Sequence, residues 1–340
     1  MSTEKTGYLL LNLGTPDDTS VPAVRRYLRE FLFDPYVIDI APPLRWMLLN
    51  LIILPTRPAK SAEAYKKIWT ERGSPLMFYS EDLLAQVKKR LPGAPTELVM
   101  RYGSPSVATG LKNLRAQGVT KVVALPLYPQ YSLAATESSV QKIRSDLRNM
   151  NWAPALDIKS DFYAHPGFIE AFADLARPML QKQKPDHVLF SFHGIPERHV
   201  KKTDPTEAHC LATKNCCDKI TSANAKCYRA QSYETARQLA KSLDLAPEQY
   251  SVSFQSRLGR TPWIQPFTDV VYGELAKKGV KKLLVYCPSF VADCLETLEE
   301  IEMRGVADFK AAGGEDLQMV PSLNATDKWA DAVVDLLHGN

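Results

Sequence analysis

The 340-residue sequence has no uninterrupted run of about 18 uncharged apolar residues, which is the length that a transmembrane helix requires. Its beginning, MSTEKTGYLLLNLG, lacks the basic region, long apolar core and small-residue cleavage site of a signal peptide. Neither sign of charge is in large excess, because the formal net charge is only +4. Nucleic-acid binders are usually more basic, and their basic residues follow a clearer pattern. We therefore expect a cytoplasmic protein that binds no nucleic acid. In that reducing compartment, clustered cysteines hold metal more often than they form disulfides.

Short apolar runs alternate along the chain with longer helical patterns. Most of the runs are nearly continuous in apolar residues, which is typical of parallel strands covered on both faces. The predicted strands lie at residues 7–13, 97–103, 121–127, 155–162, 187–192, 250–256, 282–288 and 317–323. Helices are expected between them, for example at 165–182 and at 20–33, where Ser20 and Pro22 indicate the start. This alternation favours βαβ units in open sheets.

The two halves of the chain resemble each other faintly. The segments that begin at Gln117 and Lys278 both contain Gly-Val, then Lys, an apolar strand, and a proline close to an aromatic residue. Chance similarity of two βα junctions is the alternative. We predict an α/β fold of two similar Rossmann-like domains, 1–164 and 165–340, each with a four-stranded parallel sheet flanked by helices, facing each other across a cleft. Ligands of such sheets bind at the carboxyl ends of the strands.

The fifth predicted strand ends in FSFHGIPERH, so His193 lies where the strand stops. Histidine accepts and releases protons near neutral pH, which suits catalysis, although a hydrogen-bonded structural histidine is the alternative.

The seventh strand is followed by a helix that carries Glu296 and Glu300 four residues apart, so that both carboxylates share one face. Such a row suits the conduction of protons or of a divalent cation. By spacing alone, a capping box is favoured instead, with Asp293 as N-cap and Glu296 reaching back to it. A solvated helix face is a third interpretation.

Aromatic residues also follow several strands, among them Tyr128, Tyr131 and Trp263, while Gly14 after the first strand permits a close backbone approach. Together they suggest a flat, mostly apolar ligand, although each aromatic taken singly is explained by core packing.

Five ordered segments, LNLG, YPQYS, SFHGIP, SRLGRTPW and ADCLETLEE, resemble the ferrochelatase family over nearly the whole chain. The resemblance implies two Rossmann-like domains around a porphyrin cleft. It also implies insertion of Fe2+ into protoporphyrin IX to give protoheme, the last step of heme synthesis.

The motif matches assign the central roles to His193 and Glu296, with Asp293 and Glu300 as acidic neighbours. The positions that match porphyrin-lining segments are Leu13, Tyr65, Ser74, Arg101, Tyr128, Tyr131, Trp263 and Phe290. One departure is Cys294, where many family members have histidine.

Insertion of Fe2+ must remove two pyrrole protons, and a site that favours a distorted ring lowers the barrier. We expect His193 to be the base that accepts these protons and Glu296 to position it or to relay the protons outward. The alternative is that His193 and Glu296 are the initial ligands of the iron. For the whole protein, the competing functions are those of a coproporphyrin III ferrochelatase, a cobalt chelatase, and a porphyrin- or heme-binding protein without turnover.

The stretch 41–60 is strongly apolar and has basic residues at Arg45, Arg57 and Lys60. It is expected to form a lip of the first domain that dips into the membrane interface, giving peripheral contact with the inner face of the membrane. A buried helix covering the first domain is the alternative.

Four of the six cysteines lie close together, at Cys210, Cys216, Cys217 and Cys227. No C-x2-C pair, the usual mark of a zinc site, is present. Four thiolates can hold a [2Fe–2S] cluster, and nearby Lys214, Lys219, Lys226 and Arg229 offset their charge. Some ferrochelatases have cysteines in an internal segment like this one. We expect the cluster, with zinc or free redox thiols as alternatives, and we expect Cys287 to be a core residue.

Overall fold

The computed structural model describes residues 4–257, 259 and 261–339, and these form two compact units. Unit 1 comprises the chain up to Tyr128, Leu133–Asp161, and the chain from Ala325 onward. Unit 2 comprises Pro129–Ser132 and Phe162–Asn324.

Unit 1 contains a parallel sheet with strand order β2-β1-β3-β4. Its strands are β1 (Thr6–Asn12), β2 (Thr96–Met100), β3 (Lys121–Pro126) and β4 (Ala155–Ile158). Its helices are α1 (Val21–Phe33), α2 (Pro42–Met47), α3 (Leu54–Ile68), α4 (Pro75–Arg90), α5 (Val107–Ala116) and α6 (Ser138–Asn149), with π-helical turns at Leu48–Ile53 and Leu133–Glu137. The α1 helix begins as predicted, because Ser20 is its N-cap and accepts the Ala23 N–H at 3.3 Å.

Unit 2 repeats this pattern, with strand order β6-β5-β7-β8 in a second parallel sheet. Its strands are β5 (His187–His193), β6 (Tyr250–Gln255), β7 (Lys282–Tyr286) and β8 (Asp316–Met319). Its helices are α7 (Pro166–Gln183), α8 (Glu197–Lys201), α9 (Tyr228–Ser242), α10 (Thr268–Lys277), α11 (Leu295–Thr297) and α12 (Val306–Ala311), with a π-helical segment at Leu298–Gly305. Equal strand order in both sheets confirms the prediction of two similar four-stranded parallel sheets.

Each sheet is covered on both faces by apolar side chains, which is why its strands are nearly continuous apolar runs. In unit 1, Leu9, Leu11 and Val122 are completely buried in one core cluster. In unit 2, Leu189, Val285 and Cys287 lie in the corresponding cluster, so Cys287 is a core residue as expected.

The C-terminal helix differs from the predicted division of the chain. We expected it in the second domain, but α13 (Asp327–His338) belongs to unit 1, where it packs against α4 and β3. Arg90 on α4 fixes it through ion pairs with Asp327 at 2.9 Å and Asp331 at 2.5 Å. The last strand, β8, and the helix that follows it therefore belong to different units.

The apolar stretch 41–60 forms α2, a π-helical turn and the start of α3. Its large apolar side chains are exposed rather than buried, with exposed fractions between 50% and 61% at Leu44, Trp46, Met47, Leu51 and Ile52. The alternative of a wholly buried helix does not hold for these side chains. None of the helices in the described part of the chain has the length and hydropathy needed to cross a bilayer.

Candidate active site

His193 ends β5, and its neighbour in the parallel register of β6 is Gln255. The ring is half-buried, and its Nδ1 lies 2.6 Å from the carbonyl oxygen of Gly194. Because a carbonyl oxygen only accepts hydrogen bonds, Nδ1 carries the hydrogen of this bond. In the neutral ring, Nε2 then has a lone pair for a proton or a metal ion.

A tight turn after His193 holds the ring in place. Gly194 N–H donates to the Gln255 carbonyl oxygen at 2.6 Å, and a Cβ on Gly194 would lie only 2.8 Å from that oxygen, so glycine is required here. Trp263 contacts the same turn through an antiparallel bridge with Pro196. The Phe290 ring centroid lies 6.1 Å from that of His193. The structure thus brings the predicted aromatics Trp263 and Phe290 beside the predicted catalytic histidine.

The residues from Leu295 to Gly305, which we call the carboxylate helix, begin one residue later than the sequence suggested. The predicted capping box between Asp293 and Glu296 is wrong. Instead, Cys294 is the N-cap, and Thr297 Oγ1 accepts the Cys294 N–H at 3.0 Å. Glu296 therefore takes no part in capping.

Asp293 is buried, and other partners hold its carboxylate. Its Oδ1 accepts from the Thr297 hydroxyl at 3.1 Å and from the Ser322 N–H at 3.2 Å, while Oδ2 accepts from Asn324 Nδ2 at 2.8 Å. These bonds give Asp293 a structural task at the start of the carboxylate helix. Its part in a proton or metal path stays a prediction.

Glu300 lies one turn beyond Glu296 and is half-buried. Burial raises the pKa of Glu300, while a hydrogen bond from the Ser256 hydroxyl and the charge of His193 lower it, and the charge of Glu296 raises it further. These effects mean that His193, Glu296 and Glu300 lie within electrostatic range of one another. A carboxyl group with a raised pKa exchanges protons closer to neutral pH than an ordinary one.

Cys294 is buried beside Glu296. Burial, followed by the negative charge of Glu296 and a hydrogen bond to its side chain, raises the pKa of the Cys294 thiol well above its usual value. The thiol therefore stays protonated and donates to the Glu296 carboxylate. Cys294, the one departure noted above from the histidine of many family members, is therefore a neutral neighbour of Glu296.

Other predicted porphyrin-binding residues lie in unit 1. Leu13 directly follows β1 and packs on the core, while Tyr65 and Tyr128 are buried. Ser74 is the N-cap residue of α4 and accepts a hydrogen bond from the Thr15 hydroxyl at 2.8 Å. Their contact with a porphyrin stays a prediction.

Arg101, also in unit 1, is engaged by protein groups. Its guanidinium pairs with the buried carboxylate of Asp34, donates to the Ser138 hydroxyl at 2.7 Å and lies 4.4 Å from the centroid of the Tyr102 ring. Asp34 therefore neutralises much of the charge that Arg101 offers to a ligand.

Tyr131 belongs to unit 2, where its N–H donates to Gln231 Oε1 at 2.6 Å. Lys226 Nζ lies 5.3 Å from the centroid of the Tyr131 ring. Because Lys226 immediately precedes Cys227, the cysteine segment reaches one of the predicted porphyrin-binding aromatics.

Sequence reasoning missed Gln255 and Ser256, the two residues where β6 ends. Gln255 Nε2 donates to the Glu296 carbonyl oxygen at 2.9 Å, and the Ser256 hydroxyl donates to the Glu300 carboxylate. Their only signal in the sequence is their place at the carboxyl end of a strand, in SFQSRLG.

The four clustered cysteines are reduced and buried, with exposed fractions of 1% to 7%. The sulfur atoms of Cys216 and Cys217 lie 3.7 Å apart. A hydrogen bond with Cys227 and burial raise the pKa of Cys217, and burial raises the pKa of Cys210 to about 11. Across residues 4–257, 259 and 261–339, no group of three or more His, Cys, Asp or Glu side chains is arranged to hold a metal ion.

Two further groups hold the cysteine segment. Arg229 Nη1 donates to the Cys217 sulfur at 3.1 Å. Asp204 accepts the backbone N–H groups of Cys210 at 2.7 Å and His209 at 2.8 Å, and these bonds, that of Cys210 first, lower the pKa of Asp204. Charged side chains thus hold the segment at Cys210 and at Cys217.

Two parallel sheets of equal strand order, with a histidine and carboxylates beyond the strand ends, define a protein of the two-domain chelatase fold. Solved structures with this fold include the sirohydrochlorin chelatase SirB from Bacillus subtilis subspecies spizizenii in complex with cobalt, with a TM-score of 0.55 at 10% identity over 98% of this chain and 94% of that one. SirB from Bacillus subtilis with Fe3+ matches with a TM-score of 0.53 at 13% identity over 98% and 96% of the two chains.

Sequence comparison gives the family. Residues 5–340 match the family model named Ferrochelatase. The chain is 48% identical to a ferrochelatase of Coxiella burnetii over 98% of its length and 93% of the relative, and 49% identical to one of Stutzerimonas stutzeri over 96% of both. The chain belongs to the ferrochelatase family. It is a metal-insertion enzyme that places Fe2+ in a porphyrin during heme synthesis.

Proposed function

We propose that the porphyrin is protoporphyrin IX and that His193 accepts its pyrrole protons, so that protoporphyrin IX and Fe2+ give protoheme and two protons. The observation that supports His193 is its bond from Nδ1 to the Gly194 carbonyl oxygen at 2.6 Å. That bond reserves Nε2 for the reaction. Iron keeps its oxidation state, so the protein has only to bind the ring, hold the metal and remove protons.

The carboxylate helix gives these protons a route. Glu300 has a raised pKa because it is buried, and it lies within the electrostatic reach of both His193 and Glu296. A proton on Nε2 passes first to Glu296 and then to Glu300, and from there to solvent. In this scheme Cys294 donates a hydrogen bond that keeps the Glu296 carboxylate oriented. Direct ligation of the incoming Fe2+ by His193 and Glu296 is the competing assignment, because a free Nε2 suits iron equally well.

The test is an anaerobic fluorescence assay that follows the loss of free porphyrin after Fe2+ is added. We expect turnover with protoporphyrin IX at a higher kcat/KM than with coproporphyrin III. His193→Ala should lose turnover by at least about 100-fold while it still quenches porphyrin fluorescence on binding. The matched control is His187→Gln, at the opposite end of the same strand, which should turn over normally. Normal turnover by His193→Ala would contradict the assignment of His193 as the proton acceptor. A preference for coproporphyrin III would mean that coproporphyrin III, rather than protoporphyrin IX, is the substrate.

The cysteine segment is proposed to hold a [2Fe–2S] cluster through Cys210, Cys216, Cys217 and Cys227. Two features support this donor set. All four thiols are buried, and the Cys216–Cys217 sulfur pair at 3.7 Å suits a cluster in which each iron takes two cysteine ligands. The positive charge of Arg229 beside Cys217 offsets the charge of the thiolates.

When bound, such a cluster cross-links the segment and supplies no electron to metal insertion, because the iron substrate is not oxidised or reduced. The residues that follow the cysteines explain why this cross-link matters. Cys227 is the N-cap of α9, and the next residue, Tyr228, hydrogen-bonds to Ser289 at 2.8 Å and to the backbone of His193. The cysteine segment thus supports the elements on which the catalytic histidine and Phe290 lie.

The exposed apolar residues of α2 and the π-helical turn, from Leu44 to Ile52, are proposed to form a lip that contacts the cytoplasmic face of the membrane. Five large apolar side chains exposed within nine residues make an unusually apolar surface. Arg45, within this segment, and Arg57 beyond it add positive charge that attracts acidic lipids. The ring of protoporphyrin IX is itself largely apolar, and the substrate is expected to reach the enzyme from the membrane.

A further inference from the structure

Two consecutive residues at the end of β6 hold the carboxylate helix at two points, and we call Gln255 and Ser256 the strand-end clamp. Gln255 Nε2 donates to the backbone oxygen of Glu296 at 2.9 Å. The Ser256 hydroxyl donates to the side-chain carboxylate of Glu300. One residue therefore fixes the backbone at the first carboxylate, and the next fixes the side chain of the second.

The amide of Gln255 is itself held in one orientation. It is 3% exposed, and its Oε1 accepts from the Ser191 hydroxyl at 2.8 Å and from the Cys287 thiol at 3.8 Å. Because the oxygen is occupied by donors, the amide nitrogen must point to the Glu296 carbonyl. The backbone oxygen of Gln255 also accepts the Gly194 N–H at 2.6 Å. Gln255 thus connects the turn that carries His193 with the helix that carries Glu296.

Ser256 adopts a backbone conformation that a serine normally avoids. Its φ is +62°, in the left-handed region where a Cβ is strained. An outlier of this kind beside reacting groups points to a function for the side chain, because glycine would adopt the same backbone without strain. Unlike glycine, serine has a hydroxyl group, and this hydroxyl contacts Glu300.

We propose that the strand-end clamp consists of two positioning residues that set the distance of Glu296 and Glu300 from His193 and thereby set the rate of proton removal. The inference rests on the proposed function of these three residues. Neither clamp residue touches the porphyrin in this proposal, so its loss should lower kcat without changing porphyrin affinity.

Ser256→Ala and Ser256→Gly form the decisive pair. Both remove the hydroxyl, but alanine keeps the backbone strain and glycine relieves it. We expect kcat to fall by about 10- to 100-fold in both variants, with KM for porphyrin within about twofold of wild type. The melting temperature of Ser256→Gly should equal or exceed that of wild type, so that its lost activity cannot be explained by unfolding.

The outcomes separate this inference from the proposed function when His193→Ala is assayed in parallel. Wild-type kcat in both Ser256 variants, with an inactive His193→Ala, would overturn the clamp and leave the role of His193 intact. Normal kcat in Ser256→Gly with a slow Ser256→Ala would also overturn it, because backbone strain rather than the hydroxyl would then be responsible. Full turnover by His193→Ala would instead remove the proposed function on which the clamp rests.

Discussion

Asp293 and Asn324 form a pair of hydrogen bonds that joins the start of the carboxylate helix to the chain beyond β8. Asn324 Nδ2 donates to Asp293 Oδ2 at 2.8 Å, and the Asp293 N–H donates to Asn324 Oδ1 at 2.9 Å. Asn324 reaches this position with a φ of +50°, a conformation that asparagine tolerates better than most residues. A buried carboxylate that serves two segments in this way is chiefly a structural element.

We therefore predict that Asp293→Ala lowers the free energy of unfolding by about 3 kcal/mol, because it leaves the buried partners of a charged acceptor unsatisfied. Chemical denaturation followed by circular dichroism measures the change. Asp335→Ala, at an exposed aspartate of α13, is the control and should stay within about 0.5 kcal/mol of wild type. Equal stability of Asp293→Ala and wild type would show that the hydrogen bonds of the Asp293 carboxylate contribute nothing.

Glu300→Gln tests the proton route. Burial raises the pKa of Glu300, so its carboxyl group takes up and releases protons nearer to neutral pH than an ordinary glutamate does. Glutamine keeps the shape but cannot ionise. We expect kcat to fall by at least about 10-fold with an unchanged dissociation constant for porphyrin, measured by fluorescence quenching. Glu302→Gln, at an exposed glutamate of the same helix, should behave as wild type. An equal loss in both variants would argue against a specific route.

The eight strands could be predicted from the sequence because each is a short apolar run, and an apolar run is a local property. The unit to which α13 belongs could not be predicted in this way. The contacts between α13 and Arg90 link residues that are 237 and 241 positions apart in the sequence. An amphipathic pattern indicates that a helix packs on something, but it does not say on which sheet.

The start of the carboxylate helix shows the same limit at closer range. Two adjacent residues, Asp293 and Cys294, could each be the N-cap of this helix, and aspartate has the higher N-cap propensity. Asn324 and Ser322 decide the outcome by engaging Asp293 from 31 and 29 residues away. Gln255 escaped notice for a similar reason, because its partner Glu296 is 41 residues distant.

Visible absorption tests the proposed cluster. Protein purified without oxygen should be coloured and should contain about two iron and two sulfide per chain. Cys216→Ser should lose both the colour and part of the thermal stability, because the segment before α9 is no longer cross-linked. Cys287→Ser, which alters a buried cysteine in the core of unit 2, should keep the colour. Colourless wild-type protein with bound zinc, or with neither metal, would contradict the cluster.

Flotation with vesicles that contain phosphatidylglycerol tests the lip. Leu51 and Ile52 are 61% and 59% exposed, so replacing both with serine should leave the melting temperature unchanged. Partial burial of each side chain in lipid is worth on the order of 1 kcal/mol, so the double variant should bind vesicles about 10-fold more weakly or worse. Val270→Ser, at an exposed valine of α10, is the control and should bind as wild type does. A wild-type protein that fails to float has no such lip.

His187, at the start of β5, predicts a pH dependence of stability. Its Nε2 bonds to the Ser251 hydroxyl at 3.0 Å, and burial, followed by the charge of Lys278, lowers its pKa below the usual value of 6.5. The unfolded chain therefore binds a proton at a higher pH than the folded protein does. Stability is full above about pH 6.5 and falls as the pH drops towards the folded pKa.

Removing the histidine should remove this dependence. We expect wild type to lose more free energy of unfolding than His187→Gln between about pH 7.5 and 5.5, because glutamine cannot be protonated but can still bond to Ser251. Denaturant titrations of both proteins at the two pH values measure the difference. Parallel loss in the two proteins would mean that other groups control acid sensitivity. A smaller loss in wild type than in the variant would mean that the folded state favours the charged imidazole, the reverse of what burial and Lys278 dictate.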